Sequence, residues 1–546
     1  MARRGAARQQ AMPVFAPAQT IPIGNLGTVG IIKDRPGHTL PPEAFTDGNN
    51  VRFQNRNVQR ILGHLQVYGT PLAAPDWVFD VPATAGLNFW LYGTKTAAYV
   101  YDNAHHTITR AAGAYATANQ WDWNFGILGG VPILNNGIDI PQYWPTLASS
   151  TLLANLSNWP ASTTAKVVKP FGKYLVALNI ITGGVASPHM VWWSAAALPG
   201  TIPATWDPTD ATHDAGQIQL TDIEGGEIQT ALMLGNFLVI YKRMSTHLMS
   251  FVGGQDIMGF QMILATSGAL TPRSVCAVKF GMLHFVVTQD DVITHMGYRL
   301  SAQSIVQERE KVFLFSDIDS VNYVSAFAFD NVAQREAWFC YPSNGNVLPN
   351  KVMIWNYQYN TIQFRDFNGL YADLGLVNQQ TFNTWNQATF SWSSDSNPWA
   401  FPGRRGIIFS SPSASKLYLL DNTYTFDGTN PTAFVERQGL AIIGKDRQGQ
   451  PIVDYNRRKL LSRIWPKVVG SSILAIKCGA QEQVGGPVVW GPTNLFNPQT
   501  QKFLDTGAAG ASPPSGRLLA YNITSTDANS WELQGIDFEV SDVGHL

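Results

Sequence analysis

The stretch Leu234-Gly-Asn-Phe-Leu-Val239 shows the pattern from which the fold is predicted. An apolar residue is followed by glycine, then by two residues of varied type, and then by a run of apolar residues. Glycine tolerates the positive φ angles of tight turns, and aromatic and β-branched runs favour strands, so the pattern predicts a turn that leads into a strand. Similar stretches are Leu128-Gly-Gly-Val-Pro-Ile-Leu134, Phe171-Gly-Lys-Tyr-Leu-Val176 and Phe280-Gly-Met-Leu-His-Phe285.

The spacing of these copies is the next clue. They start at residues 128, 171, 234 and 280, so successive starts are 43, 63 and 46 residues apart. Looser copies begin at Gly86, Glu336 and Ser415. A period of about 40–50 residues with several strands per unit is typical of β-propeller blades. We therefore predict an all-β fold with a propeller of six or seven irregular blades, and a β-sandwich with similar hairpins is the alternative.

The chain divides into three predicted parts. Residues 1–45 are rich in Ala, Pro and Gly without a sustained period, which predicts an extended N-terminal arm that is either disordered or laid along a neighbouring molecule. Residues 46–430 carry the short strands and tight turns of the propeller-like domain. Residues 431–546 contain a Gly, Pro and Ser-rich loop from Thr506 to Gly516 and predict a small C-terminal β-sandwich-like domain. The alternative for this last part is that its strands close the propeller ring.

The composition of the 546 residues is poor in charge and rich in aromatic side chains. Charged residues make up 14% and aromatic residues 12%, and the charged share is about half the usual value. A chain with so few charged side chains has little surface that must remain hydrated, which favours extensive contact between subunits. A large all-β core explains the aromatic residues equally well. The net charge of −1 predicts no general attraction to nucleic acids or acidic membranes.

The cysteines and the apolar runs indicate where the protein folds. Cys276, Cys340 and Cys478 are far apart and odd in number, so they form no disulfide framework and indicate a reducing cytoplasm. The first twenty residues lack the apolar run of a signal peptide, and no stretch approaches 18 uninterrupted apolar residues. The sequence predicts neither export through a membrane nor stable insertion into one.

The ten histidines, the glycines and the carboxylates form no complete catalytic or metal-binding motif. No histidine falls in a zinc spacing, and neither a phosphate-binding loop nor a G-x-S-x-G elbow occurs. His284 and His295 lie on opposite arms of one predicted hairpin and could approach each other. Asp207, Asp210 and Asp214 could supply oxygens to calcium, although Asp-Pro-Thr-Asp is also an ordinary turn. We expect no catalytic residue, no metal site and no cofactor.

Two segments are similar to the Asp-box hairpin of sialidase-like propellers. They are Ser393-Ser-Asp395-Ser-Asn397-Pro-Trp399 and Ser525-Thr-Asp527-Ala-Asn529-Ser-Trp531. Both lack the glycine of that motif and are one residue short before the tryptophan. We interpret them as polar turns capped by an aromatic residue.

Two groups of basic residues are the candidates for contact with a DNA channel or a subunit interface, because such contacts to phosphate need Lys and Arg. In the first group the arginines recur every four positions, which does not match the two-residue alternation of a strand. For both groups the alternative interpretation is that the charges are solvated or paired with carboxylates. The first group is Arg52, Arg56 and Arg60, and the second is Arg457, Arg458, Lys459, Arg463 and Lys467.

Several segments, taken in order, resemble the nozzle proteins of short-tailed bacteriophages (podoviruses), also called tail tubular or packaged-DNA-stabilising proteins. Each segment is weakly specific by itself, and together they are scattered over residues 46–546. They are Thr46–Gly63 with its Asn-Asn-Val-Arg-Phe core, Trp123–Trp144, Val191–Ser194, Trp206–Pro208, Leu234–Tyr241, Phe251–Gly254, Thr271–Val275, and Gly516–Ala520 with Trp531 and Gly535.

The resemblance implies a virion structural protein without enzymatic activity. It would form a homohexameric ring below the portal adaptor, retain packaged DNA and conduct it during ejection, after synthesis in the host cytoplasm. The implied partners are further copies of the chain, the adaptor ring protein and a tail fibre or spike, with transient non-specific contact to double-stranded DNA. The weak net charge suits a conduit, since a strongly basic wall would hold the phosphates.

Two other functions remain open from the sequence. A glycan-binding propeller, such as a tail-fibre-like receptor-binding protein, is the first. The second is a glycoside hydrolase, which would need two carboxylates about 5–10 Å apart.

Overall fold

The computed structural model describes residues 18–82, 88–116, 119–254, 256–298, 301–377, 404–446, 451–507, 510 and 512–544. Within these residues the chain forms forty-two strands, numbered β1 to β42 in chain order, and one α-helix, α1 (Lys311–Asp317). The described residues divide into a larger unit within residues 62–360 and 364–429, and a smaller unit within residues 18–61, 361–363 and 430–544. No helix in the described part is long and apolar enough to cross a bilayer.

The larger unit is built from seven four-stranded antiparallel sheets. We call them blades 1 to 7 in chain order and label the strands of each a to d. Blades 1 to 3 consist of β6 (Trp77–Pro82), β7 (Asn88–Gly93), β8 (Ala98–Tyr101), β9 (His105–Thr107); β10 (Asn124–Leu128), β11 (Val131–Asn135), β12 (Gln142–Tyr143), β13 (Ala154–Asn155); and β14 (Thr163–Phe171), β15 (Tyr174–Thr182), β16 (Val185–Trp193), β17 (Gly216–Gln219). In each of these blades the strands pair in chain order.

Blades 4 to 6 repeat the same meander. They consist of β18 (Ile228–Leu234), β19 (Phe237–Lys242), β20 (Thr246–Phe251), β21 (Met258–Leu264); β22 (Val275–Val278), β23 (Leu283–Val287), β24 (Val292–His295), β25 (Gln303–Ser304); and β26 (Phe327–Asn331), β27 (Glu336–Tyr341), β28 (Lys351–Asn356), β29 (Thr361–Asp366). Blade 7 consists of β30 (Tyr371–Val377), β31 (Arg404–Ser411), β32 (Lys416–Leu420) and, as strand d, β5 (His64–Gln66).

The ring is closed by β5, which comes from the start of the larger unit. It pairs antiparallel with β32, so that Tyr418 lies opposite Gln66 and Leu420 opposite His64. The a strands contact one another in sequence from β10 to β30, and β30 also contacts β6. Phe79 of β6 stacks on Phe125 of β10 with ring centroids 4.7 Å apart. The unit is therefore a seven-bladed β-propeller, which confirms the predicted fold class, and the strand that closes it is N-terminal rather than C-terminal.

Apolar packing between neighbouring blades holds the ring together. Each small sheet is apolar on both faces and cannot bury both alone, so it is stable only between two neighbours. Between blades 3 and 4, Phe171 and Val176 share one core cluster with Ile228 and Leu238. Every residue of the b strands β7, β23 and β27 is buried. Burial on both faces explains why these b strands are mostly apolar along their whole length instead of alternating between apolar and polar residues.

The smaller unit contains two larger sheets and one short hairpin. The seven-stranded sheet consists of β1 (Gln19–Gly24), β3 (Val51–Gln54), β4 (Asn57–Arg60), β36 (Arg458–Gly470), β39 (Leu504–Asp505), β40 (Ser515–Gly516) and β42 (Trp531–Gly544). The five-stranded sheet consists of β2 (Asp47–Asn49), β33 (Ala433–Leu440), β37 (Leu474–Gln481), β38 (Val489–Phe496) and β41 (Leu518–Ser525), and the hairpin of β34 (Ile442–Lys445) and β35 (Pro451–Val453).

These two sheets pack on each other as a β-sandwich. Tyr521 of the five-stranded sheet lies against Phe538 of the seven-stranded sheet, with ring centroids 5.4 Å apart. Ile21, Leu461 and Val540 from one sheet and Leu519 from the other line the same small interior space. The region expected to be sandwich-like is thus a sandwich, and it also includes strands from the N-terminus.

The unit boundaries differ from the expected ones at residue 46. The larger unit starts at residue 62, because β2 pairs with β33 and β4 with β42. β1 also pairs with β42, from Gln19 opposite Val540 to Gly24 opposite Gly535. The described part of the expected arm, residues 18–45, therefore belongs to the smaller unit, and residues 1–17 lie outside the described residues. Only Ile21 and Ile23 of β1 are buried, too short a pattern to reveal a partner about 500 residues away.

Gly63 offers a test of the ring closure. Its NH group donates to Thr423 O, and a methyl group added there would lie 2.0 Å from Thr425 O. We expect Gly63→Ala to push β5 out of place and to lower the free energy of unfolding by about 2–4 kcal/mol. Urea denaturation followed by tryptophan fluorescence measures the change. Gly24→Ala is the control, because no atom lies within 4 Å of its added methyl. Equal losses in both variants would contradict this account of the closure.

Candidate functional site

The first basic group lies on the hairpin of β3 and β4. Arg52 and Arg60 are buried, with 2% and 3% of their surfaces exposed. Arg60 Nη1 is 3.1 Å from Asp527 Oδ1, and its Nη2 donates to Pro431 O at 3.2 Å. The predicted DNA or interface role is therefore wrong for Arg52 and Arg60, because both side chains are buried and cannot reach DNA or another subunit. Arg56 is exposed in the turn, with a φ of 66°.

The second basic group lies on β36 and the turn before it. Lys459 is fully buried, and its ammonium donates to the carbonyl oxygens of Asp454, Arg457 and Arg517, so its expected external role is also wrong. The other four are paired with carboxylates: Arg457 with Asp542 at 2.7 Å, Arg458 with Glu482 at 2.6 Å, Arg463 with Asp505 at 2.6 Å and Lys467 with Asp537 at 2.8 Å. This group is a neutralised surface rather than a free basic patch.

The carboxylates singled out in the sequence serve turns. Asp207 and Asp210 accept hydrogen bonds from the NH and hydroxyl groups of the threonines two residues further on, and Asp214 accepts the Tyr174 hydroxyl at 3.0 Å. In the described ranges no group of three or more His, Cys, Asp or Glu side chains is placed to hold a metal ion.

Asp527, in one of the Asp-box-like segments, holds a polar turn together. It accepts hydrogen bonds from Ser472 Oγ at 2.8 Å and from the Ile473 NH group at 3.1 Å. The tryptophan that ends the segment, Trp531, is buried. The segment is thus a polar turn followed by a buried aromatic residue, as interpreted, and the other segment, residues 393–399, lies outside the described residues.

His284 and His295 face each other across β23 and β24, as the hairpin predicted, and meet Tyr241 from blade 4. His284 Nε2 lies 2.9 Å from Met233 O and must donate to it, so His284 Nδ1 accepts the Tyr241 hydroxyl at 2.6 Å. The tyrosine oxygen then accepts from His295 Nε2 at 2.7 Å, and His295 Nδ1 accepts from the Gly297 NH group. One chain of hydrogen bonds therefore joins blades 4 and 5 and requires both rings to be neutral.

Burial keeps these histidines neutral. It lowers the pKa of His284 to about 4, and burial together with the proximity of His284 lowers the pKa of His295 to about 3. Neither ring has an exposed surface. The two histidines therefore have a structural role rather than that of a metal site or an acid–base catalyst at neutral pH. We call their hydrogen-bonded chain with Tyr241 the histidine lock.

A second polar cluster, unseen in the sequence, surrounds Asp222. Its carboxylate lies 2.7 Å from Lys242 Nζ and 3.0 Å from His247 Nε2, and it accepts the Ser245 hydroxyl. Burial alone would raise the pKa of Asp222, but these hydrogen bonds lower it to about 2. The same nitrogen of His247 faces both Asp222 and Ser245, so the histidine cannot relay a proton between them as in a catalytic triad. The cluster fixes the connection between blades 3 and 4.

A cavity of about 380 Å³ lies where the a strands of blades 2 to 7 converge. Arg273 donates to Leu370 O at 2.8 Å and to Ser325 O at 2.9 Å, and Lys169 donates to Phe125 O at 3.0 Å. Burial lowers the pKa of Arg273 to about 10 and that of Lys169 to about 8. Backbone carbonyls thus hold both cations inside the propeller channel.

The pKa values of carboxyl groups on the a strands, or shortly before them, are shifted in the opposite direction. Burial raises the pKa of Asp373 to about 7 and that of Asp80 to about 6, and the Asp80 NH group donates to Asp373 Oδ2 at 2.8 Å. Burial also raises the pKa of Asp76 to about 6 and that of Asp122. Near neutral pH Asp373 is therefore about half protonated, whereas Asp76 and Asp80 remain mostly ionised.

The histidine lock predicts an acid-sensitive contribution to stability. Below pH 6.5 the unfolded chain protonates His295, whereas the folded chain does so only near pH 3. The advantage of the wild type over His295→Gln should therefore shrink by about 2 kcal/mol between neutral pH and about pH 5. Urea denaturation at both pH values measures it. His213→Gln, at a half-exposed histidine, is the control, and an equal pH dependence in both variants would contradict the lock.

Asp373 predicts the reverse pH dependence. Its raised pKa means that the charged form destabilises the fold above about pH 7, and the cost disappears as the pH falls toward 4. Asp373→Asn keeps an oxygen for the Asp80 NH group and should stabilise the protein by about 1–2 kcal/mol at about pH 8. Its gain should be smaller at about pH 5. A gain that is independent of pH would rule out this explanation.

Comparisons with known proteins found similarity in fold only. No family model and no curated protein matches this chain. The WD40 domain of Pan2 from Neurospora crassa matches with a TM-score of 0.35 and 7% identity over 67% of this chain and 95% of that one. PorZ, a surface component of the type-IX secretion system of Porphyromonas gingivalis, matches with a TM-score of 0.34 and 10% identity over 81% of this chain. This chain spans 46% of the PorZ chain.

Proposed function

We propose that this protein is a structural subunit of the tail of a short-tailed bacteriophage, where copies form the nozzle ring below the portal adaptor. The ring retains packaged DNA and conducts it during ejection, and the subunit acts without catalysis. Its partners are other copies of itself, the adaptor ring and a tail fibre or spike.

The exposure of large apolar side chains on both units is the observation that carries this proposal. Single exposed apolar residues occur on most protein surfaces, but large apolar side chains that protrude this far are positions that neighbouring subunits of an assembly can cover. One propeller face exposes Val185, Ile223, Val312 and Val321 by 69–75%, and the other exposes Phe280 by 88%. The smaller unit exposes Val489 by 73% and Leu495 by 65%.

The segments that resemble the nozzle proteins of short-tailed bacteriophages are the second support for this proposal. Thr46–Gly63 covers the strands β2 to β4 of the smaller unit, and Trp123–Trp144 covers the inner strands of blade 2. Leu234–Tyr241 forms the turn and strand b of blade 4. The resemblance therefore extends over structural elements of both units rather than over one local motif.

The state of the basic residues suits a conduit. Of the eight candidates, three are buried and four are paired with carboxylates, which leaves Arg56 as the one that, in the described part of the chain, is neither buried nor paired with a carboxylate. A surface with few free cations releases few counterions on contact with DNA and holds it weakly. The cavity inside one propeller is small, so the DNA path belongs to the assembled ring.

Electron microscopy of negatively stained protein tests the proposal. We expect six-fold rings, either from the purified chain or after addition of the adaptor ring protein. Mass photometry of the same samples gives the copy number. Monomers in both conditions would contradict the nozzle assignment, and binding on a glycan array without any ring would favour a receptor-binding protein.

A further inference from the structure

One turn of the propeller departs from the pattern shared by its neighbours. In blades 2, 3 and 4, strand a ends on the apolar residue before the glycine, and a two-residue turn leads to strand b. Those apolar residues, Leu128, Phe171 and Leu234, are buried with 1–6% exposure. In blade 5, Val278 pairs with Leu283, so the turn has four residues. The equivalent apolar residue, Phe280, is consequently lifted out of the core and is 88% exposed.

The backbone of this turn is unfavourable for its sequence. Lys279 and Phe280 have φ angles of 51° and 59°, and Gly281 has 78°. The left-handed region suits glycine and asparagine, whereas a bulky residue such as phenylalanine is rarely found there. Neither burial nor backbone geometry of the folded chain explains a phenylalanine at this position, which points to a contact outside the chain.

Other apolar side chains protrude at the same end of neighbouring hairpins. In an antiparallel meander the a–b and c–d connections lie at one end, and the b–c connections lie at the other. Gly297, in the c–d connection of blade 5, packs against Leu234 at the end of strand a of blade 4. Three connections lie at this end: the c–d connection of blade 4 between β20 and β21, and the a–b turn and c–d connection of blade 5. We call the residues in or next to them that are 53–88% exposed the tip cluster: Phe251, Val252, Phe280, Met282, Met296 and Tyr298.

We propose that the tip cluster binds to the interfacial region of a lipid bilayer. Its members stand at the apices of three hairpins, an arrangement that a fluid interface accepts without a matching shape. Aromatic and methionine side chains with a flanking lysine suit that region, because the apolar part enters the acyl boundary while the polar end stays in water. Lys279 supplies the flanking charge next to Phe280.

Charge and size favour this partner over a structured protein surface. The sequence of the three connections, residues 251–257, 279–282 and 296–302, contains three charged residues, Asp256, Lys279 and Arg299, so little charge would have to be desolvated. A protein partner would instead need a concave surface that fits three separate tips. A four-residue turn cannot cross a hydrocarbon core of about 30 Å, so the contact is peripheral. This inference does not depend on the nozzle proposal, because ring formation and vesicle binding are measured separately.

Flotation with phosphatidylcholine vesicles, with and without phosphatidylglycerol, tests the proposal on the full chain. The test variant combines Phe280→Asn, which suits the positive φ, with Met282→Ser. We expect the wild type to float with both vesicles and the variant to bind at least about tenfold more weakly, as expected for losing one inserted aromatic and one inserted methionine. Val185→Ser, at a 69% exposed residue in the b–c turn of blade 3, is the matched control and should bind like the wild type.

Three outcomes would overturn the proposal. These are no flotation of the wild type, equal binding of the test variant, and an equal loss in the Val185→Ser control. If the wild type does not bind vesicles but self-associates with rising concentration, and the test variant loses this self-association, the tip cluster is a protein interface. Circular dichroism melts of all variants establish that any loss is not caused by unfolding.

Discussion

The pairing of β5 with β32 is the constraint on which the propeller depends. Seven small sheets, each apolar on both faces, leave two apolar faces uncovered unless the first and the last blade meet. Three residues of β5 make that junction, and the NH group of Gly63 next to them has its acceptor in the segment that follows β32. The aromatic contacts of Trp77 and Phe79 with blade 2, and the hydrogen bonds of Tyr241 with His284 and His295, add further links between neighbouring blades within the closed ring.

The fold class could be predicted because its signals are local. The Gly-led turns and the apolar b strands recur with a near-regular period, and each needs only neighbouring residues to be recognised. The ring closure and the unit boundary could not be predicted, because they depend on partners hundreds of residues away. His64 of β5 and Ile21 of β1 lie in short segments whose own patterns do not reveal a partner.

The candidate site was predictable only in part, for the same reason. Opposition of His284 and His295 followed from one hairpin, but the participation of Tyr241 from the adjacent blade did not. Basic clusters were visible in the sequence, whereas their neutralising carboxylates, such as Asp542 and Asp505, come from distant strands of the sandwich. Lys459 looks like its neighbours in sequence, yet alternation along β36 turns it inward. Charge that is counted along a chain therefore overstates the charge that a folded surface presents.

The sandwich, whose strands come from both ends of the chain, has a consequence for synthesis. β4 ends at Arg60 and β33 begins at Ala433, so about 370 residues separate the two groups of strands. At typical rates of translation, about 5–20 residues per second, β1 to β4 wait roughly 20–80 s for their partners to leave the ribosome. The propeller can complete its ring during that interval, whereas the sandwich cannot. The cell that makes this protein must therefore protect these early strands from pairing with wrong partners. Faster translation of the propeller segment would shorten the time for which they need this protection.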